Sequence, residues 1–226
     1  MKRPMAVTAL VLLASSVACA HCGVCGVSGA AGTPQADKDG FYPLFNGKDL
    51  AGWKISENPG SIKVKDGMIV CNGPRAHAFY AGPVGKADFK NFELVAEVKT
   101  LAKSNSGIFF HTAWQEKGWL AKGYEAQINN THGDWRKTGG LYQIKDLRKS
   151  PAKDGEWFTY RITVKGKRVV LAVNGKVTVD WTEGPDYKPP KDRPGRKLSS
   201  GTIALQGHDP GSTVYFKSIR IKPLPD

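Results

Sequence analysis

Long helical stretches are scarce in this 226-residue sequence, and no repeat of fixed period is visible. Helical bundles, solenoids and propellers are therefore poor descriptions of it. Acidic residues are few, 20 against 33 basic, and there are only four cysteines. Cys19, Cys22 and Cys25 form a C-x-x-C-x-x-C run, while Cys71 stands alone. The run lacks a nearby fourth ligand, which argues against zinc or an iron–sulfur cluster. The basic excess has no nucleic-acid-binding motif beside it, so nucleic acid is not an expected partner. Apart from the Lys188–Lys197 loop, that excess is spread along the chain and reads as a solvated surface. Acidic polysaccharides or an anionic envelope surface are the other partners it would suit.

The first residues read as an address. Lys2 and Arg3 precede an apolar run from Met5 to Ala14 that is too short to cross a bilayer, and Ala18-Cys19-Ala20 has the small-x-small form of a cleavage site. Residues 1–20 are thus expected to be an export signal. Residues 21–40 are expected to be a Cys-containing segment and linker, rich in Gly and Ala, and residues 41–226 one domain. The expected location is outside the cytoplasm: periplasm, cell envelope or secreted. Cys19 has two readings, a lipid-anchored N-terminus or a partner in local disulfides. Losing Lys2 and Arg3 with the leader removes two charges from a formal +13 and leaves +11.

What the sequence does contain is strand periodicity. Glycine (26) and proline (14) are plentiful, which suits many short strands joined by turns. Phe92, Leu94, Ala96 and Val98 alternate with polar residues over 91–100, as do Tyr124, Ala126 and Ile128 over 123–129. Similar patterns run over 107–112, 158–164, 203–208 and 214–221, and Asn174-Gly175 between two β-rich runs predicts a type I′ hairpin. The expected fold is all-β, two stacked antiparallel sheets. Cys71 is expected to be a buried strand thiol.

Period two also predicts a polar face. Glu125 and Gln127 leave the same side of their strand, and His111, Gln206 and His208 are expected at equivalent outward positions, with Asn105-Ser106 just before the 107–112 strand. Amides and carboxylates pair with sugar hydroxyls, and aromatic rings stack on pyranose faces. Trp53, Trp157 and Trp181 lie in strand-like runs and are expected in the core. Trp114, Trp119 and Trp135 lie in connections and are candidates for stacking; His77 and His132 read as loop residues.

These residues resemble a family. Phe45-Asn46-Gly47-Lys48-Asp49-Leu50-Ala51-Gly52-Trp53, Asn105-Ser106-Gly107-Ile108, Gly123-Tyr124-Glu125-Ala126-Gln127-Ile128, Thr138-Gly139-Gly140-Leu141-Tyr142 and Gly201-Thr202-Ile203-Ala204-Leu205-Gln206-Gly207-His208 follow, in order, the motifs of the 3-keto-disaccharide hydrolase domain. The resemblance spans about residues 41 to 224. It implies a concanavalin A-like jelly roll acting on 3-keto-glycosides. A C3 carbonyl acidifies the C2 proton, so a base can remove it while the C1 substituent leaves, and water added afterwards makes the net reaction a hydrolysis. The resemblance points to Glu125, His111 and His208 as catalytic candidates. Asn105, Ser106, Gln127, Tyr142, Gln206, Trp114 and Trp135 are then the candidates for substrate binding. No cofactor is required and no metal ligand set is assigned, although a divalent cation held by Glu and His is an alternative way to polarise the ketone.

Two rivals share the fold. A retaining glucanase needs two carboxylates about 5–5.5 Å apart, and the Glu125-Ala126-Gln127-Ile128-Asn129-Asn130 strand places amides where the second belongs. A non-catalytic carbohydrate-binding module is the other, because fold alone does not decide activity.

Overall fold

The computed structural model describes Met1 and residues 32–226. The expected export signal and the Cys19, Cys22 and Cys25 run lie outside the described residues. Thirteen strands follow in order: β1 (Tyr42–Pro43), β2 (Trp53–Ile55), β3 (Ile62–Lys65), β4 (Met68–Cys71), β5 (Ala76–Tyr80), β6 (Phe92–Thr100), β7 (Ser106–Thr112), β8 (Tyr124–Ile128), β9 (Phe158–Lys165), β10 (Arg168–Val173), β11 (Lys176–Thr182), β12 (Thr202–Gly207) and β13 (Val214–Pro223). They form two antiparallel sheets. One has eight strands in the order β11-β10-β9-β6-β13-β4-β3, with β1 also on β13; the other has five, β2-β5-β12-β7-β8.

The alternation read from the sequence builds the larger sheet. Phe92, Leu94, Ala96 and Val98 of β6 and Phe158, Tyr160, Ile162 and Val164 of β9 point into one core, while Glu93 and Arg161 pair on the outer face. Asn174 and Gly175 take positive φ (50° and 77°) in the β10–β11 hairpin, as the Asn-Gly signal requires.

The smaller sheet behaves differently. Every residue of β5, β7, β8 and β12 is buried. Tyr124, Ala126 and Ile128 face the shared core, yet Glu125 and Gln127 on the opposite face are buried too. Loops cover that face, and a second apolar cluster of Phe79, Phe109, Leu120 and Ala204 lies on it. The strands β3 to β5 lack a long alternating signature, and in them the sequence marks only Cys71 as a strand residue. His77, expected in a loop, sits in β5 and is fully buried.

One expectation about the core needs correcting. Trp53 is buried and Trp181 packs on the core, but Trp157 is 39% exposed, its ring covered by Lys99 and Lys217 at 4.8 and 5.9 Å. It precedes β9 and so escapes that strand's alternation. Cys71 is in β4 and buried, and burial pushes its thiol up to about 12.

Phe110 lies in the core against Phe92 and Tyr124, with ring centroids 5.9 and 5.8 Å apart. Phe110→Ala should cost about 3–5 kcal/mol in denaturant unfolding. Trp157→Ala should cost no more than about 1 kcal/mol. Equal losses would put Trp157 back in the core.

Candidate active site

A cavity of about 230 Å³ opens on the buried polar face of the smaller sheet. Its floor is Glu125 and Gln127 of β8, Phe109 of β7 and Gln206 of β12; its walls are Asn105, Trp119, Leu120, Asp134, Tyr142, Arg193, Arg196 and His208. The structure therefore brings together Glu125, Gln127, Asn105, Gln206, Tyr142 and His208 from the sequence-derived set.

Glu125 is the most perturbed acid in it. The carboxylate is buried, and desolvation pushes it up to about 7, opposed mainly by the charge of Arg196. Arg196 Nη2 lies 3.6 Å from Glu125 Oε2. The Glu125 side chain crosses over Gly107: a Cβ there would lie 2.5 Å from Oε1 and 2.8 Å from Cγ. Only a glycine leaves room at that point, which is the physical content of the Asn-Ser-Gly motif.

The Thr-Gly-Gly-Leu-Tyr segment has an equally concrete role. It runs along the free edge of β8, where Gln127 N donates to Gly140 O (2.9 Å), Gly139 N to Gln127 O (3.2 Å) and Tyr142 N to Glu125 O (3.0 Å). This backbone pairing sets Tyr142 beside Glu125. The Tyr142 ring lies between the guanidinium groups of Arg136 and Arg196, at 4.9 and 5.0 Å. Burial, then the Glu125 charge, raises its pKa, so the phenol is neutral and keeps its proton.

A chain of polar contacts lines one wall. Gln127 Nε2 donates to Asn105 Oδ1 (3.0 Å), and Asn105 Nδ2 approaches His208 Nε2 at 3.3 Å and His132 Nδ1 at 3.4 Å. With the amide as donor, His208 accepts at Nε2 and its Nδ1 proton goes to Asp209 Oδ2, 2.7 Å away. Burial opposes ionisation of Asp209, but hydrogen bonds from Ser212, His208 and Gly211 N outweigh it and hold the carboxyl below its usual range. Trp119 stacks on His208 at 5.0 Å. Beneath Trp119 lies His77, whose imidazole burial pushes down to about 4.

Four candidates lie elsewhere. His111 was expected on the polar face, but its φ is +55° and the β7–β12 register shifts at this point. That bulge breaks the alternation. Its ring turns onto Phe92 and Phe110, Nε2 meets Lys90 O at 2.9 Å, and Nδ1 accepts from Ser199 N at 3.2 Å. Both nitrogens are thus spent on backbone. Ser106 Oγ donates to Gln206 O (2.7 Å) and ties β7 to β12 without lining the cavity. Trp114 packs against Phe79 under Lys54, and Trp135 lies between Arg136 and Arg148; neither lines the cavity.

Sequence reasoning missed Asp134, Arg193 and Arg196. The two arginines belong to the basic, proline-rich Lys188–Lys197 loop, which stands apart from the scattered charge in the sequence but carries no site signal there. Gly195 bridges to Lys122 in parallel fashion, Gly123 N donates to Gly195 O (2.9 Å), and Leu198 N donates to Glu183 Oε2, which also accepts from Tyr124 Oη. These bonds hold the loop over β8.

A cation held by Glu125 and a histidine does not fit these residues, because the charge beside Glu125 is already a guanidinium. Among the described residues, one group has suitable donors: His132, His208 and Asp209, with ligand atoms within 4.8 Å of one another. Glu125 is not part of it.

Residues 40–222 match the 3-keto-alpha-glucoside-1,2-lyase-like domain. A 3-keto-disaccharide hydrolase of Bacteroides thetaiotaomicron is 28% identical over 233 residues, covering 83% of this chain and 80% of its own. A Parabacteroides distasonis protein provisionally described as a glycosyl hydrolase superposes with a TM-score of 0.70 at 27% identity, over 83% of this chain and 95% of its own. A Bacillus subtilis protein of galectin-like fold superposes at 0.55 with 14% identity, over 80% and 94% of the two chains, which reflects the sandwich alone. This chain belongs to the family of 3-keto-alpha-glucoside-1,2-lyase-like domains, and with it to the carbohydrate-active enzymes.

Proposed function

We propose that the protein cleaves 3-keto-glycosides by removing the C2 proton and expelling the C1 substituent, with water then able to add to the enone. The observation that carries this reading is Glu125, a buried carboxyl pushed up to about 7 at the floor of a polar cavity. A base with that pKa is half ionised near neutrality and strong enough to take a proton acidified by a neighbouring carbonyl. The C2 proton passes to Glu125, and its bonding pair enters the C2–C3 enolate. Return of that pair forms the C1–C2 double bond as the C1–O bond breaks. The neutral phenol of Tyr142 and His208, whose ring is oriented by Asp209, are the wall groups able to exchange a proton with the leaving oxygen. Asn105, Gln127 and Gln206 present amides to the sugar hydroxyls.

Action outside the cytoplasm is part of the proposal and rests on Lys2, Arg3, the apolar run and Ala18-Cys19-Ala20. A lipid anchor at Cys19 is the membrane-bound form of it.

The cavity also contains a second carboxylate, Asp134, which keeps direct glycoside hydrolysis as a specific rival. Asp134 lies on a loop and accepts from Arg136 N (2.9 Å), so it is not the strand neighbour that a glucanase pair uses. Incubation with a 3-keto-glycoside and its unoxidised parent separates the readings. Cleavage of the keto form alone is expected, and cleavage of the parent at a comparable rate would establish the rival.

Glu125→Gln should reduce turnover of the keto substrate by about 10²–10⁴-fold with the fold retained. Full activity in that variant removes Glu125 as the base. Because the reaction needs the ionised form, kcat/KM of the unaltered protein should climb with pH and level off above an apparent pKa near 7. The groups facing this carboxyl are Arg196, Arg193, Tyr142 and Asp134, and a rate that falls over pH 6–8 contradicts the assignment. Gly107→Ala forces the carboxyl aside and should cost roughly 10–100-fold in kcat. Its signature is a kinetic loss much larger than the change in melting temperature.

A further inference from the structure

The Arg196 side chain is 2% exposed, a costly place for a charge that never neutralises. A structural ion pair would offset that cost with short, two-point contacts of about 2.7–2.9 Å. Arg196 makes instead one approach of 3.6 Å to Glu125, and its Nε and Nη1 have no partner among the described residues. Tyr142 covers one face of the guanidinium and the Gly195 bridge fixes its backbone, so the group is held in place with two donors unspent. Gln127 Oε1 and Gln206 Oε1, also lining the cavity, likewise have no partner among the described residues.

We propose that Arg196 is a catalytic residue, the group that binds the C3 oxygen of the substrate and carries its negative charge in the enolate. The inference rests on the reaction proposed above. When the C2 proton moves to Glu125, the carboxylate becomes a neutral acid and one negative charge appears on the C3 oxygen. The charge of the closed cavity does not change; it moves from one partner of Arg196 to another. Before transfer the guanidinium attracts Glu125 only at 3.6 Å, and afterwards its free donors hold the enolate oxygen. An interaction stronger in the transition state than in the ground state raises kcat rather than lowering KM. On elimination the oxygen returns to a carbonyl, the electron pair expels the C1 substituent as the Tyr142 phenol protonates its oxygen, and Arg196 regains Glu125 as that acid passes the C2 proton on to the Tyr142 oxygen.

The test uses a 3-keto-1,5-anhydrohexitol, which enolises but carries no exocyclic C1 substituent to expel. Exchange of its C2 proton in D₂O, followed by NMR on the full chain, reads proton abstraction alone. The unaltered protein should exchange C2 far above the buffer rate, and Glu125→Gln should not. Arg196→Gln should exchange about 10²–10³-fold more slowly on the high-pH plateau, where Glu125 is ionised in both proteins, with KM changed less than about threefold. Arg196→Lys keeps the charge without the fork and should fall between the two, which also serves if the Gln variant does not fold. Added guanidinium ion should restore part of the exchange to Arg196→Gly, which loss of packing would not predict. Plateau exchange within threefold of the unaltered protein in Arg196→Lys and in every folded Arg196 variant overturns the proposal and leaves the proposed reaction standing. Absence of both exchange and cleavage in the unaltered protein overturns the reaction itself.

Discussion

A carboxyl group buried on a sheet face is the constraint to which the rest of this site answers. Exposed on an open sheet, Glu125 would be an ordinary solvated acid. Its shift requires that water be kept away, and the molecule does this with loops rather than with sheet. Trp119 and Leu120 close one side, Tyr142 a second, and the 193–198 loop a third. The face that a half-solvated antiparallel sheet would show to water is thereby converted into an interior. Burial of both faces of β8 is the consequence, and it explains why a strand with two polar residues in five has no exposed position.

Closing that face creates a steric problem, which glycine solves three times over. Gly107 leaves space for the Glu125 side chain where β7 and β8 run side by side. Gly123 and Gly201 flank the bulge at His111, and a Cβ at either would meet backbone of residues 110–112 within 2.2 Å. The bulge ends β7 and diverts the chain into the 113–121 loop that carries Trp119. His111 is thus a positioning element of the fold: its ring bridges the backbone of Lys90 and Ser199 at the end of β7.

Legibility followed from periodicity. Strands β6, β8, β9 and the β10–β11 hairpin were readable because each presents one apolar face to one core. The pairing of Glu125 with Gln127 followed from the same rule, and both lie on the cavity floor. His111 failed because a single positive φ inverts alternation, and nothing in Phe-Phe-His-Thr marks that change. Arg193 and Arg196 failed for another reason. The Lys188–Lys197 loop stands out as a basic run, but only the contacts of Gly195 with Lys122 and Gly123 and of Leu198 with Glu183 turn it inward. Trp119 could be named as a candidate, but its separation from Trp114 and Trp135 depends on tertiary contacts no short window contains.

The basic surface raised an expectation of anionic partners, and the cavity argues for a different substrate. With Glu125 ionised, as the proposed reaction requires, the two carboxylates in its lining, Glu125 and Asp134, cancel the two guanidinium groups, Arg193 and Arg196. The excess positive charge of the chain is therefore distributed outside the site and does not focus there. A formally neutral cavity has no reason to select an anion in the ground state. In the proposed reaction it suits a neutral sugar on which negative charge develops, because Glu125 would give up its charge as the substrate acquires it. If the reaction runs as proposed, a permanently anionic sugar would compete for Arg196 before the proton moves and would weaken the difference between ground and transition states that raises the rate.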